Sequence, residues 1–311
     1  MHNNKEQKNS GFTLLELLIS VAMLAALLSL LLPAIQGLRE RARRTACQNK
    51  LHQMGIGLSS YEATHQQFPL SQLVHFGLLP HMESNISLAD VPSGHVGSLP
   101  NEGELALFAC PSEPEGITTH EHLAKLNYLR SEGVYGMYTE SGNMQFTDFN
   151  PGLPLHPSSA TDGRSNTVGI AEATTRPFPK ENSFAHPDLV GTWSLGTISV
   201  SPSSNDGRDF KSVCESLTPS PSNLVRIGGT SFLLGSYESY NHAAPPNSRS
   251  CALATNYQSF SGFASIPSQS FHKGGTSSLL LDFSVQFVSE TVEPELWRAL
   301  GTPHGNDIAN F

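Results

Sequence analysis

Charge is scarce in this 311-residue chain: Asp, Glu, Lys and Arg make up 14% of it, well below the usual quarter. With 26 Gly and 21 Pro besides, it is no disordered polyelectrolyte. Basic residues are scarcest, 18 against 27 acidic ones, for a net charge of −9. That balance excludes a general nucleic-acid binder, which needs a basic footprint to neutralise phosphates. Four Cys are too few for a disulfide-dense miniprotein of this length. Catalytic signatures are missing as well. There is no Gly-x-Ser-x-Gly elbow, no Gly-x4-Gly-Lys phosphate loop, no His-Glu-x-x-His zinc helix and no Cys-x-x-Cys pair. The expectation is a non-enzymatic protein of one or two domains, long enough to bury a sizeable core.

What is present gathers in the first fifty residues. From Phe12 to Leu32 the chain reads FTLLELLISVAMLAALLSLLL, with Glu16 as its one ionisable group. As a helix this run is roughly 32 Å long, against about 30 Å of bilayer hydrocarbon. A secretory signal has a shorter apolar core ending at an Ala-x-Ala-like site, and neither condition is met. The run therefore reads as a membrane-spanning helix. Glu16 is its anomaly, because a carboxylate inside a bilayer needs a partner. Cleavage between Gly11 and Phe12 would supply one: the new amine of Phe12 lies at the depth at which a neighbouring chain's Glu16 arrives. Such a pair is compensated only on docking, so it fixes register more than it adds stability.

Gly11-Phe12-Thr13-Leu14-Leu15-Glu16 before an apolar run, with Pro33 after it, resembles the type IV prepilin cleavage and methylation segment shared by pilins and type II secretion pseudopilins. The resemblance implies a prepilin peptidase that cuts after Gly11 and N-methylates Phe12, giving N-methylphenylalanine. It implies that Glu16 serves subunit docking, and that the partners are other pilin-like subunits and the membrane. It also implies a single-pass inner-membrane protein with a cytoplasmic N-terminus and a periplasmic body. The Arg39, Arg41, Arg43 and Arg44 cluster opposes that orientation by charge count, and the motif is followed over it.

The helix is expected to continue past a kink at Pro33. Beyond it, Ile35, Leu38 and Ala42, then Cys47, Leu51, Met54, Leu58 and Tyr61, line a stripe at helical spacing. Gly55 and Gly57 weaken the last turns, and Pro69 ends the segment. The expected division is a leader over 1–11, a transmembrane helix over 12–32, its extramembrane continuation over 33–68 and a β-rich body over 69–311. Within the body, 71–83 reads as a short helix broken at Pro80. Strand-like runs occupy 105–110, 126–138, 167–173, 190–200, 224–234, 279–282 and 285–288, and a short helix covers 293–300. The fold class is α+β: a long helical spine packed on an antiparallel, loop-rich β domain.

Landmarks through the body resemble a branch of prepilin-like proteins marked by a C-terminal His-x9-Asp-Gly element. They are 108–112 (FACPS), 161–167 (TDGRSNT) leading to Glu172, 245–248 (PPNS) with Cys251, His272-Lys273-Gly274-Gly275 with Asp282, and Trp297, Leu300, Gly301 and Thr302. No activity comes with this resemblance. Where the branch has Asp-Gly, this chain has Asp282-Phe283, so a type I′ hairpin turn is disfavoured and a different turn or longer loop is expected. His272 and Asp282 read as a structural pair tying the Gly274-Gly275 turn to the hairpin.

Two weaker clusters remain. His120-Glu121-His122 reads as a solvated loop, and 205–209 (NDGRD) offers Asp206 and Asp209 as a calcium candidate without the terminal Glu of a calcium loop. Cys47, Cys110, Cys214 and Cys251 allow two disulfides in three connectivities if the body lies outside the cytoplasm, and Cys47 is placed to staple spine to body. Two functions follow: a structural subunit assembling through its N-terminal helix into a pilus- or secretion-type filament, or a membrane-anchored binding protein that uses the prepilin segment only for insertion and processing.

Overall fold

The computed structural model describes residues 13–69, 74–82, 107–114, 126–134, 136–138, 144–146, 156–175, 192–194, 208–218, 220, 224–225, 239–252 and 262–305. The chain divides into two compact units, Met1–Arg43 and Arg44–Phe311.

The first unit holds most of a single helix, α1, which spans Leu14–His65 and runs on through Pro33. Pro33 removes one amide donor, yet the turns on either side suffice to carry the helix. Large apolar side chains from Leu14 to Leu38 are exposed, and a stretch of α1 is long and apolar enough to cross a membrane.

In the second unit the same helix changes character. Cys47, Leu51, Met54 and Leu58 are buried, as their spacing predicts, while Tyr61 is half-buried. Gly55 and Gly57, expected only to weaken the helix, are buried contact points. A Cβ on Gly55 would lie 3.0 Å from Leu279 Cδ1, and one on Gly57 would lie 2.9 Å from Met82 Cγ. The helix ends at Gln66, whose left-handed backbone (φ 57°) stops it before Pro69. A short helix α2 (Val74–Leu78) and a 3-10 turn (Leu79–His81) follow, the turn containing Pro80.

Among the described residues the strands form two sheets. The first, in the order β11-β10-β4-β1-β7, contains Val285–Ser289, Gly275–Leu280, Val168–Glu172, Tyr128–Ser131 and Ser239–Tyr240. The second, β3-β2-β9-β8-β5-β6, contains Met144–Phe146, Gly136–Tyr138, Gly262–Ser265, Ser250–Ala252, Thr192–Ser194 and Leu224–Val225. Two further helices are α3 (Arg208–Ser216) and α4 (Pro294–Ala299). The α+β class holds, but the sheets are mixed. The pairs β1–β7 and β5–β8 are parallel, which the long stretches of chain between their strands permit. Residues 107–110, expected as strand, form turn and irregular chain. The strands β3, β7, β8 and β9 and the helix α3 had no counterpart in the sequence pattern.

The core joins the buried face of α1 to the first sheet and α4: Leu51, Met54 and Leu58 with Leu129, Val168, Ile170, Leu279, Trp297 and Leu300. All six residues of β10 are buried, including Thr276, Ser277 and Ser278. Gly275 begins the strand where only glycine fits, since a Cβ there would fall 2.0 Å from the Val288 carbonyl oxygen.

Candidate functional site

The cleavage pair Gly11 and Phe12 lies outside the described residues. Just after it, Thr13 and Glu16 form a capping box. The Thr13 N–H and Oγ1–H both donate to Glu16 Oε2 (2.9 and 2.8 Å), and the Glu16 N–H donates to Thr13 Oγ1 at 3.3 Å. The Thr-x-x-Glu spacing that produces it is itself a sequence signal for a helix start.

A second constellation sits in the body, where the family landmarks converge. The loop 107–114 is fixed by Asn127, whose Oδ1 accepts from the Cys110 N–H at 2.8 Å. Glu113 then ties the loop to the end of β4, accepting from the Thr175 N–H and Oγ1–H, both at 2.7 Å, and from Asn127 Nδ2 at 2.9 Å. Cys110 is thereby held against α1 and forms a disulfide with Cys47; Cys214 and Cys251 form the other. Of the three connectivities, each of which would staple spine to body through Cys47, the structure selects Cys47–Cys110 with Cys214–Cys251. The Cys47–Cys110 bond is reinforced where Tyr128 Oη donates to the Cys47 carbonyl at 3.2 Å.

His272 and Glu172 meet beside this disulfide. His272 Nε2 lies 3.6 Å from Cys110 Sγ and 3.6 Å from Glu172 Oε1, while its Nδ1 lies 3.3 Å from Ser112 Oγ. Glu172 Oε2 accepts from the Ser277 N–H at 2.8 Å, and Oε1 has no hydrogen-bond partner. His272 and Glu172 are each 2% exposed. Burial raises the Glu172 carboxyl above the usual carboxylate range, opposed by His272 and by the bond from Ser277.

The expected pairing of His272 with Asp282 is not found. The two residues flank β10 at opposite ends, and Asp282 is exposed, with its Oδ1 accepting from Ser284 N–H and Oγ–H. The carboxylate beside His272 is that of Glu172, on β4. Gly274 does form the expected turn, with φ 88°. The hairpin closes by a β-turn in which the Phe283 N–H donates to the Leu280 carbonyl at 3.0 Å. Phe283 then takes the left-handed conformation, φ 71°, that a glycine would take at lower cost. So the turn is not type I′, yet Phe283 does not escape positive φ.

Asp209 falls within α3, while Asp206 and His120–His122 lie outside the described residues. The remaining landmarks lock the C-terminus. His242 Nδ1 donates to the Trp297 carbonyl at 2.8 Å, so its Nε2 accepts from Tyr240 Oη at 3.0 Å. Its ring stacks on Trp297 at 4.1 Å, and Gly301 leaves no room for a Cβ beside it.

An N-terminal helix of this kind, headed by Thr13 and Glu16, on a disulfide-stapled α+β body defines a pilin-like class of protein. Residues 7–32 match the prokaryotic N-terminal methylation motif, which implies processing by a prepilin peptidase and membrane association. Residues 36–295 match the family described as "Protein of unknown function (DUF1559)", and the chain belongs to that family. No curated protein and no solved structure matches it.

Proposed function

We propose that this chain is a structural subunit that assembles through its N-terminal helix into a pilus- or type II secretion-type filament. The observation that carries the reading is the uncovered apolar surface of α1, from Leu14 to Leu32, in which Glu16 is the one ionisable group. Peptidase cleavage after Gly11 and methylation of Phe12 leave that helix with a terminal amine, and Glu16 of one subunit docks on the amine of the next. The leader faces the cytoplasm and the body the periplasm, where its two disulfides persist. The body works as a folded, non-catalytic module without a calcium requirement.

The test is Glu16→Lys in the full chain, followed by its recovery in sheared surface filaments and in the membrane fraction. The expected result is normal membrane insertion with loss from filaments. Wild-type behaviour of the variant would overturn assembly and leave the helix as an anchor for a binding body.

A further inference from the structure

We propose that the Cys47–Cys110 staple is a redox-gated zinc site, in which the reduced chain holds Zn2+ through Cys47, Cys110, His272 and Glu172.

The four ligand atoms already lie within 4.8 Å of one another. They come from four separate pieces of chain: α1, the loop 107–114, β4 and the segment before β10. Each non-sulfur ligand is oriented from its far side. His272 Nδ1 faces Ser112 Oγ at 3.3 Å, which turns Nε2 towards the sulfurs. The Ser277 N–H holds Glu172 Oε2 at 2.8 Å, which leaves Oε1 facing inward with no hydrogen-bond partner. Outer hydrogen bonds that fix the ring and carboxylate of a metal ligand have this form. A buried carboxylate oxygen left unbonded is costly in the oxidised chain and satisfied by a cation.

Two sulfurs, one imidazole nitrogen and one carboxylate oxygen suit a thiophilic divalent ion in tetrahedral coordination. Ligand atoms around such an ion stand roughly 3.3–3.8 Å apart, so the sulfurs must be unbonded, and disulfide and metal exclude one another. The step balances as follows. A dithiol reductant gives two electrons and two protons to the Cys47–Cys110 bond, which breaks to two thiols as the reductant closes to its own disulfide. Zn2+ then displaces both thiol protons to solvent and binds the two thiolates, Nε2 of His272 and Oε1 of Glu172. An external disulfide that exchanges with the two thiolates takes up the two electrons and leaves as two thiols or thiolates, which restores the Cys47–Cys110 bond and releases the ion.

The experiment uses the full chain in detergent, reduced with a phosphine under metal-free, anaerobic conditions and titrated with Co2+ and then Zn2+. The comparison protein is Cys47→Ser/Cys110→Ser, which retains the other pair. The expected result is one equivalent of tetrahedral cobalt with a thiolate charge-transfer band in the reduced wild type, displaced by zinc. The same signal should be missing from the oxidised wild type and from the double variant. Ser112→Ala should weaken zinc binding by about tenfold to a hundredfold, and His272→Ala and Glu172→Gln by at least that much. Near-ultraviolet circular dichroism on the same samples reads folding. If the reduced chain loses its native signal, zinc must restore it, and failure to do so overturns the proposal. Equal binding by wild type and double variant overturns it too, as does unchanged affinity in Ser112→Ala together with Glu172→Gln.

Discussion

Phe283 carries a left-handed backbone, φ 71°, at a place where a β-carbon costs roughly 1–2 kcal/mol. Its surroundings offset that cost. The ring meets Phe68 edge-on at 6.3 Å, the Arg164 guanidinium lies 5.0 Å from its centroid, and its Cβ and carbonyl oxygen pack over Gly55. Arg164 is itself pinned by Glu62, with Nη1 and Nη2 donating at 3.0 and 2.7 Å, and donates from Nε to the Leu281 carbonyl at 2.9 Å. Substitution should therefore separate backbone from side chain. Phe283→Ala loses the ring and keeps the strain, whereas Phe283→Gly loses the ring and relieves it. Chemical denaturation is expected to find the Ala variant less stable than the Gly variant by about 1 kcal/mol. The reverse order would show that the turn carries no strain. The exchange of Gly for Phe was visible in the sequence; the rings that make it tolerable were not, because they come from elements far apart in the chain.

At the scale of elements, the second half of α1 is held by close approach and by a covalent tie. A Cβ at Gly55 would lie 3.0 Å from Leu279 and 3.3 Å from the Phe283 carbonyl oxygen. Ala there gains about 1 kcal/mol of helix propensity and gives much of it back in crowding. Gly55→Val crowds further and is expected to destabilise the body by about 1–3 kcal/mol, read as a lower urea midpoint at unchanged slope. The Cys47–Cys110 bond closes a separation of 63 residues. Its removal by Cys110→Ser under oxidising conditions is expected to cost about 4 kcal/mol. The spine was legible from Cys47 to Leu58, where the apolar stripe at helical spacing is buried, whereas Ile35, Leu38 and Ala42 of the same stripe are exposed. The strand β11 and the helix α4 were legible for similar local reasons, whereas β10 runs over Gly275–Leu280 and only its last two residues fell in the expected strand 279–282. The parallel partners β7 and β8 were not, since two- and three-residue strands such as Ser239–Tyr240 and Ser250–Ala252 have no periodicity to read. Their place is set by what they pair with. The same holds for the site: His272 was singled out, but its partner was sought ten residues along the chain, and the carboxylate beside it is that of Glu172, on β4.

At the scale of the whole molecule, two buried groups among the described residues, His242 and Glu172, respond to acid with opposite signs. Burial pushes His242 down to about 3, against which its bond to the Trp297 carbonyl works only partly. In the unfolded chain the imidazole returns to about 6.5, so between those values the unfolded state binds the extra proton. Stability supplied by this group is therefore complete near neutrality and falls as pH drops below about 6.5, by about 2 kcal/mol at pH 5. Glu172 opposes it. Its raised carboxyl means that the folded state holds the extra proton above the ordinary carboxylate range, and acidification through that range favours folding. Thermal melts from pH 7 to pH 5 are expected to show a falling midpoint in the wild type. His242→Gln should be less stable at pH 7 and show a shallower fall. A slope unchanged by that substitution would move the source of acid sensitivity elsewhere.

Thr13 already donates twice to Glu16, so a lone chain brings no bare acid into the bilayer. Its helix can dwell there uncombined, as stock held ready. On the proposed reading, joining a neighbour swaps these internal hydrogen bonds for a contact between chains, an exchange with little net gain. A polymer built on such an exchange takes up and sheds subunits near balance. On that reading, whether it grows or shrinks is not decided by the strength of this one joint.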